Sequence, residues 1–205
     1  DADNVRLDAG TGRFVVGHGA GALASVDPAS GTVVGRAVLP AHPEGFQLDP
    51  ARRRAYVNLP GVQRIGVVDL VTGQLEESWP LTGLAANFPM ALDVERGLLA
   101  SVTRDPPRLL LLDLASGGVR AELPACRDAD DVFFDDARRR LYVVCGAGVV
   151  DVYVTEGLSY ARAGATPTRP GARTGLFVPA LDRLFVAART AGREGAAILV
   201  LRPVD

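Results

Sequence analysis

The feature that most constrains the fold of this chain is an internal repeat of about 42 residues. Five similar stretches share one equivalent central residue: Phe14, Tyr56, Ala100, Tyr142 and Phe185. Successive members are 42, 44, 42 and 43 positions apart. A turn-like element recurs in phase with them: DPASG at 27–31, DLVTG at 69–73, DLASG at 113–117 and YVTEG at 153–157. Two landmarks with one period indicate about five copies of a single unit.

Each unit has the pattern of four short strands. The third strand is nearly all apolar, as in RLLLLD at 108–113, whereas the fourth alternates and carries charge, as in GQLEESW at 73–79. Inner strands covered on both faces read as continuous apolar runs, and a strand that faces water alternates. Helical periodicity of useful length does not occur in the sequence. Four-stranded units of this length predict an all-β propeller of antiparallel blades.

The repeats predict one propeller domain over residues 1–205, with a last unit that stops after its third strand, AAILVLRP. The chain is either a closed five-bladed ring or the C-terminal part of a larger ring, and we favour the second arrangement. The central aromatic residues are expected to be buried between neighbouring blades: Phe14, Tyr56, Tyr142 and Phe185. The repeat boundaries lie at about 1–41, 42–86, 87–127, 128–172 and 173–205.

Composition removes several classes of chemistry. All 22 basic residues are arginine, so mechanisms that use a lysine Schiff base or a lysine nucleophile are excluded. The only imidazoles belong to His18 and His42. The formal charge of −2 argues against a nucleic-acid partner, because phosphate contacts dominate such binding. No apolar run approaches the ~18 residues that a membrane span needs.

Two segments resemble a known family. AYVNLPGVQRIGVVDLVTG at 55–73 and RLYVVCGAGVVDVYVTEG at 140–157 are similar to the YVTN-repeat propellers, the YncE-like proteins. The shared pattern is aromatic-Val-x-Asn, a short loop, and V-x-V-[I/V]-D-x-x-T-G. It extends through all five repeats but departs in the third, at LLASVTRDP, and in the fifth, at VAARTAGREG. The resemblance implies a seven-bladed ring with about two more blades upstream, export to the bacterial periplasm or beyond, and no assigned activity.

Propeller topology brings certain loops together around the central channel. The loops that enter first strands and those that leave second strands share one face, and such a concave polar rim is the default ligand site. The alternative is that these polar residues only cap strands. The predicted rim residues are His18, His42, Glu44, Asn58, Asn87, Arg104, Asp130, Asp131 and Arg173.

Three of the rim residues are candidate metal ligands. His18, His42 and Glu44 occupy adjacent loops, and two imidazoles with a carboxylate suit zinc or iron with open coordination positions. The alternative, which we favour, is that His42 shapes a turn before Pro43, so no cofactor is predicted. The acidic run at 128–136 lacks the glycine and the final glutamate of an EF-hand loop.

These observations favour a non-catalytic binding or scaffold propeller of the bacterial cell envelope, with a small-molecule or protein ligand at the channel-mouth loops. The envelope assignment rests on the family resemblance. The alternative function is a metal-dependent enzyme, similar to a lactonase or a lyase, that acts at the same channel mouth. No nucleic-acid partner and no membrane span are expected.

The two cysteines are expected to pair. Cys126 precedes the first strand of the fourth repeat, and Cys145 ends its second strand. These strands are antiparallel neighbours joined by a turn, so the two positions meet on the channel face. An exported protein folds in a compartment that permits a disulfide. The alternative is two reduced, buried thiols.

Overall fold

The computed structural model describes residues 1–156 and 159–204, and over these residues the chain is an all-β, five-bladed propeller. Four sheets have four strands and the fifth has three, and strand order within every sheet follows the chain. The helices of the described part are two three-residue 3-10 turns, at Pro60–Val62 and Pro179–Leu181. Neither has the length or the apolar character needed to cross a bilayer. The predicted propeller is confirmed.

Consecutive strands along the chain pair antiparallel within each blade. The first two blades contain β1 (Ala2–Asp8), β2 (Arg13–His18), β3 (Ala22–Val26), β4 (Val33–Val38), β5 (Phe46–Asp49), β6 (Arg54–Leu59), β7 (Arg64–Asp69) and β8 (Leu75–Pro80). The third and fourth contain β9 (Ala85–Asp93), β10 (Leu98–Asp105), β11 (Pro107–Asp113), β12 (Val119–Pro124), β13 (Ala129–Asp135), β14 (Arg140–Cys145), β15 (Val149–Glu156) and β16 (Ser159–Pro167). The fifth contains β17 (Thr174–Val178), β18 (Arg183–Ala188) and β19 (Ala197–Leu201). Successive first strands contact one another, which places them innermost.

The turn between the third and fourth strands is built in the same way in the first three blades. In the first blade the carboxylate of Asp27 accepts two backbone N–H groups of the turn, and the N–H of Gly31 donates to the Asp27 carbonyl. Asp69 and Asp113 repeat this pattern. The closing glycines have φ between 67° and 70°, a conformation that a Cβ disfavours. Gly157 of the fourth copy lies outside the described residues.

The arginine-rich turn between the first and second strands is held by a buried aspartate. Asp49 ends β5 and is fully buried, and its carboxylate accepts the backbone N–H and the guanidinium of Arg52. Asp93 and Arg96 form the same pair in the third blade. A buried carboxylate is stable only when it is paired or hydrogen-bonded. The Asp at the end of the first strand therefore fixes the geometry of the turn.

The hydrophobic core is divided among the gaps between adjacent blades. Four clusters of buried residues each fill one gap, from the first blade to the fifth. Tyr56 lies between the second and third blades, with its ring centroid 5.6 Å from that of Trp79. Tyr142 packs against Phe177 between the fourth and fifth blades. Both tyrosines are buried, as predicted, and full burial of a large apolar side chain stabilises by about 1.5–3 kcal/mol.

The same prediction was wrong for the aromatic residues of the two terminal blades. Phe14 is 41% exposed, and Phe185 is half-buried. Phe14 pairs with Leu7, and Phe185 pairs with Leu176 and Val200, and these three partners are all exposed. The sheet faces that carry Phe14 and Phe185 lie outside the four gaps that the core clusters fill. The repeat period assigns the same environment to every copy, whereas burial requires a second sheet against the face.

Candidate functional site at the channel mouth

A cavity of about 270 Å³ lies at the centre of the propeller, where the first strands of all five blades or the loops before them meet. We call this cavity the channel mouth. Four of its side chains carry a carboxyl group and one carries a guanidinium, and a short apolar wall lies beside them. The lining residues are Asp3, Asn4, Arg6, Glu44, Gly45, Phe88, Pro89, Met90, Asp130, Asp131 and Thr174.

The loop that carries His42 and Glu44 is held by hydrogen bonds to backbone carbonyls of three blades. Nδ1 of His42 lies 2.6 Å from the carbonyl oxygen of Gly19 and donates its proton there, because a carbonyl only accepts. The backbone N–H of Glu44 donates to a carbonyl of β6, and that of Gly45 donates to the Phe88 carbonyl. A Cβ at Gly45 would lie 2.4 Å from the same Phe88 oxygen, so only glycine allows this approach.

Asp3, His42 and Glu44 form a cluster on one side of the channel mouth. One potential ligand atom from each side chain lies within 4.8 Å of the other two. The pKa of Glu44 is raised to about 6, mainly by burial and next by the neighbouring carboxylate of Asp3, while the charges of His42 and Arg104 lower it. Within residues 1–156 and 159–204, neither Asp3 nor Glu44 forms an ion pair with an arginine. We call these residues the Asp3–His42–Glu44 cluster.

The other side of the channel mouth carries a closed ion-pair network. Arg104 lies 2.5 Å from Asp130 and 3.3 Å from Asp128. Arg173 lies 2.9 Å from Asp128 and 3.4 Å from Asp130. The Arg104 guanidinium also lies 4.1 Å from the ring centroid of Phe88, at cation–π distance. Two cations and two anions thus neutralise one another in this Arg104–Arg173 network, which joins the third, fourth and fifth blades.

Asp131 lines the cavity beside this network. Its carboxylate accepts the backbone N–H of Gly175 at 2.7 Å, which links the fourth blade to the fifth. The pKa of Asp131 is raised to about 6, mainly by burial and to a lesser extent by the charge of Asp130. The hydrogen bond from Gly175 and the charge of Arg6 act in the opposite direction. Asp131 is therefore a desolvated acid, and among the described residues the cation that acts on it is the guanidinium of Arg6.

Asn58 and Asn87 support the wall of the channel mouth from behind. Both side chains are fully buried. The Asn58 amide donates to the carbonyls of Phe88 and Pro89, at 3.0 Å each. Its Oδ1 accepts hydrogen bonds from Asn87 at 2.8 Å and from Ser101 at 3.0 Å. These two predicted rim residues bind other parts of the chain and join the second blade to the third.

His18 lies outside the Asp3–His42–Glu44 cluster. Its Nε2 is 3.5 Å from the guanidinium of Arg36. The structure therefore brings Asp3, in place of His18, to His42 and Glu44. His18 pairs with Ala2 across the β1–β2 ladder, and successive side chains of a strand point to opposite faces. No pattern in the sequence distinguishes Asp3 from His18 as the third member, because the choice depends on the register of β1 against β2.

The predicted disulfide between Cys126 and Cys145 is confirmed. Their Cα atoms lie 6.0 Å apart across 19 positions of sequence, and both residues are buried. The bond joins the segment that leads into Asp128 and Asp130 to the end of β14. It therefore holds the base of the Arg104–Arg173 network.

A cavity of about 460 Å³ lies away from the channel mouth, between the fourth and fifth blades. Its walls are mainly valine and leucine side chains, with Arg140, Tyr142 and Arg202 at its polar margin. Among the described residues that line it there is no carboxyl group and no imidazole. The channel mouth, where four carboxyl groups converge, is therefore the candidate functional site.

Comparison with known proteins identifies the fold. No protein-family model matches the sequence, and no curated protein matches it. Among solved structures, the chain is similar to one chain of the crystal structure of a mitotic checkpoint complex, with a TM-score of 0.80 and 11% sequence identity over 99% of the present chain. The present chain spans 61% of the length of that chain. At this identity the likeness shows a propeller fold alone, which is compatible with a binding or scaffold role.

Proposed function

We propose that this chain is a non-catalytic binding or scaffold propeller that holds its partner by a cationic group inserted into the channel mouth. The observation that carries the proposal is the charge of the cavity, where Asp3, Glu44, Asp130 and Asp131 face a single guanidinium, that of Arg6. Asp130 is already neutralised by the Arg104–Arg173 network. The remaining acids outnumber the cation, and desolvated carboxylates are stabilised by a paired positive charge.

The dimensions of the channel mouth suit a small cationic group. Small-molecule sites usually have volumes of about 300–1,000 Å³, and this cavity of about 270 Å³ lies just below that range. An arginine or lysine side chain of a protein partner, a small amine or a metal ion would fit it. The similar solved structure is that of a protein complex, which supports a protein as the partner.

We also propose that the protein is an exported member of the YVTN-repeat propellers. The buried Cys126–Cys145 disulfide supports an oxidising compartment, such as the bacterial periplasm or the cell exterior. The described residues that line the mouth include no serine, cysteine or lysine, so covalent catalysis through such a nucleophile has no support there. Metal-dependent hydrolysis of a lactone that is lost in Glu44→Gln would instead support the enzymatic alternative.

Binding of short charged peptides tests the proposed function. We expect a fluorescein-labelled tri-arginine peptide to bind the protein at low ionic strength and a tri-glutamate peptide not to bind, as measured by fluorescence anisotropy. The matched control is the double variant Glu44→Gln, Asp131→Asn, which removes two charges and keeps the size of both side chains. Equal binding of the two peptides, or an unchanged affinity in the double variant, would contradict the proposal.

A further inference from the structure

The Asp3–His42–Glu44 cluster has the donor set of a metal site. We propose that it binds a divalent transition-metal ion of the Zn²⁺ type at the channel mouth. The inference rests on the proposed cation-binding function and names the cation. One imidazole and two carboxylates, contributed by β1 and by the loop before β5, converge within 4.8 Å. Three protein ligands that leave a coordination position open are typical of zinc sites that also bind a water or a partner group.

The hydrogen bond of His42 is of the kind that metal-binding histidines form. Its Nδ1 donates to the carbonyl of Gly19 at 2.6 Å, and the carboxylate of Asp1 lies 3.9 Å from the same nitrogen. Metal-binding histidines almost always donate their second ring N–H to a carbonyl or a carboxylate, which fixes the tautomer and the ring plane. The lone pair of Nε2 is then the one available for a metal.

The two carboxylates can close around an ion without movement of the backbone. Ligand atoms about 2.0–2.1 Å from a tetrahedral metal lie about 3.3 Å apart, so the cluster must contract slightly. Asp3 is exposed and Glu44 is only partly buried, so both side chains have room to rotate. The backbone of Glu44 is held by a hydrogen bond to β6. The like charges of Asp3 and Glu44 repel one another, and a cation between them removes that repulsion.

The donor atoms select the class of metal. Imidazole nitrogen suits Zn²⁺ and its first-row neighbours, whereas Ca²⁺ and Mg²⁺ prefer oxygen ligands alone. Both cysteines of the chain are in the disulfide, so no thiolate competes for the metal. His18 is the only other imidazole in the sequence, and it lies outside the cluster. His18→Gln is therefore a matched control for His42→Gln.

Isothermal titration with ZnCl₂ tests the site, with protein that carries no polyhistidine tag, near neutral pH and in a buffer that does not chelate metals. We expect one Zn²⁺ per chain. His42→Gln and Glu44→Gln should each weaken binding at least 10-fold, and His18→Gln should leave it unchanged. MgCl₂ and CaCl₂ should give no saturable heat. Glu44→Gln relieves charge repulsion, so it remains an informative variant even if His42→Gln unfolds the loop.

The outcomes separate this inference from the proposed function. Zn²⁺ binding that survives both His42→Gln and Glu44→Gln, or that is lost in His18→Gln, overturns the metal site. If Zn²⁺ does not bind while the tri-arginine peptide binds in a Glu44-dependent manner, the metal site falls and the cation-binding function stands. If neither Zn²⁺ nor the tri-arginine peptide binds, both the metal site and the cation-binding function are wrong. Visible absorption of a Co²⁺ complex that disappears in His42→Gln would confirm imidazole coordination directly.

Discussion

The two sides of the channel mouth are built from similar residues but differ in charge balance. In the Arg104–Arg173 network each guanidinium lies within 3.4 Å of a carboxylate of both Asp128 and Asp130. In the Asp3–His42–Glu44 cluster two carboxylates meet one imidazole. In the first arrangement the charges neutralise one another and link three blades. The second leaves the carboxylates of Asp3 and Glu44 without an arginine ion pair among the described residues, and for this reason we propose the binding site on the side of the first two blades.

One position of the repeat accounts for much of this difference. Arg104 lies four positions after the central residue Ala100 of its repeat, and His18 lies four positions after Phe14, whereas the same position of the second repeat is Pro60, two residues after Asn58. Arg104 reaches the acids of the next blade, whereas Asn58 is buried against the third blade and His18 faces Arg36. This repeat position therefore supplies a cation to the acids of the next blade in the third copy, and neither Pro60 nor His18 does so in the first two.

Removal of the disulfide should have the largest effect, and it should be confined to the network side. Replacement of Cys126 and Cys145 by alanine should lower the free energy of unfolding by about 3 kcal/mol, because the bond closes a loop of 19 positions. Urea unfolding of the double variant and of reduced wild-type protein should agree. A loss below about 1 kcal/mol would contradict the stabilising role of the disulfide. A changed affinity for Zn²⁺ in the double variant would show that its effect is not confined to the network side.

Loss of one network cation should cost less. In Arg104→Met, Asp128 and Asp130 retain only Arg173, and we expect a loss of about 1–3 kcal/mol because a partly buried carboxylate loses its main partner. Chemical denaturation at neutral pH measures this loss. The control is Arg202→Met, since Arg202 is 70% exposed and lies 3.7 Å from Asp182, so its loss should fall within ±0.5 kcal/mol. Equal losses in the two variants would mean that the network contributes no more to stability than an exposed ion pair.

Asp131 predicts a smaller, pH-dependent effect. Its pKa is raised from 3.8 to about 6 by burial, so the folded state binds the proton more tightly than the unfolded state. Stability should therefore fall by about 1–2 kcal/mol as pH rises from about 4 to 6. Asp131→Asn keeps the acceptor for Gly175 and should flatten that slope in urea titrations at several pH values. An equal slope in wild type and variant would show that Asp131 is ionised throughout.

The smallest effect is expected at His18. Its ring contacts the guanidinium of Arg36 and lies outside the cluster, so His18→Gln should change the free energy of unfolding by less than about 0.5 kcal/mol. Urea unfolding of His18→Gln beside His42→Gln sharpens the comparison, because His42 also holds the Gly19 carbonyl. A larger loss at His18 than at His42 would reverse the roles that the structure gives to the two histidines.

The blades, the turns and the disulfide could be predicted from the sequence because each depends on local patterns. The Asp–Gly turns recur at fixed spacing, and Cys126 and Cys145 lie on strands joined by a short turn. The channel mouth could be predicted only as a set of rim positions. Which side chains meet depends on irregularities such as the register shift between Ala2 and Val5 in β1. No pattern in the sequence reveals that shift, and so His18 was taken in place of Asp3.

The turns closed by Asp27, Asp69 and Asp113 also bear on how the chain acquires its structure. Each joins its glycine to its aspartate only four positions away, so little loop-closure entropy opposes it. Hairpins of this kind form in about 1–10 μs. Contacts between blades, such as that of Asn58 with Phe88, span 30 positions and carry a larger loop-closure cost, so we expect them to form later. Folding can therefore nucleate in any of three blades and spread outward to its neighbours, with the stacking of sheets as the slow step.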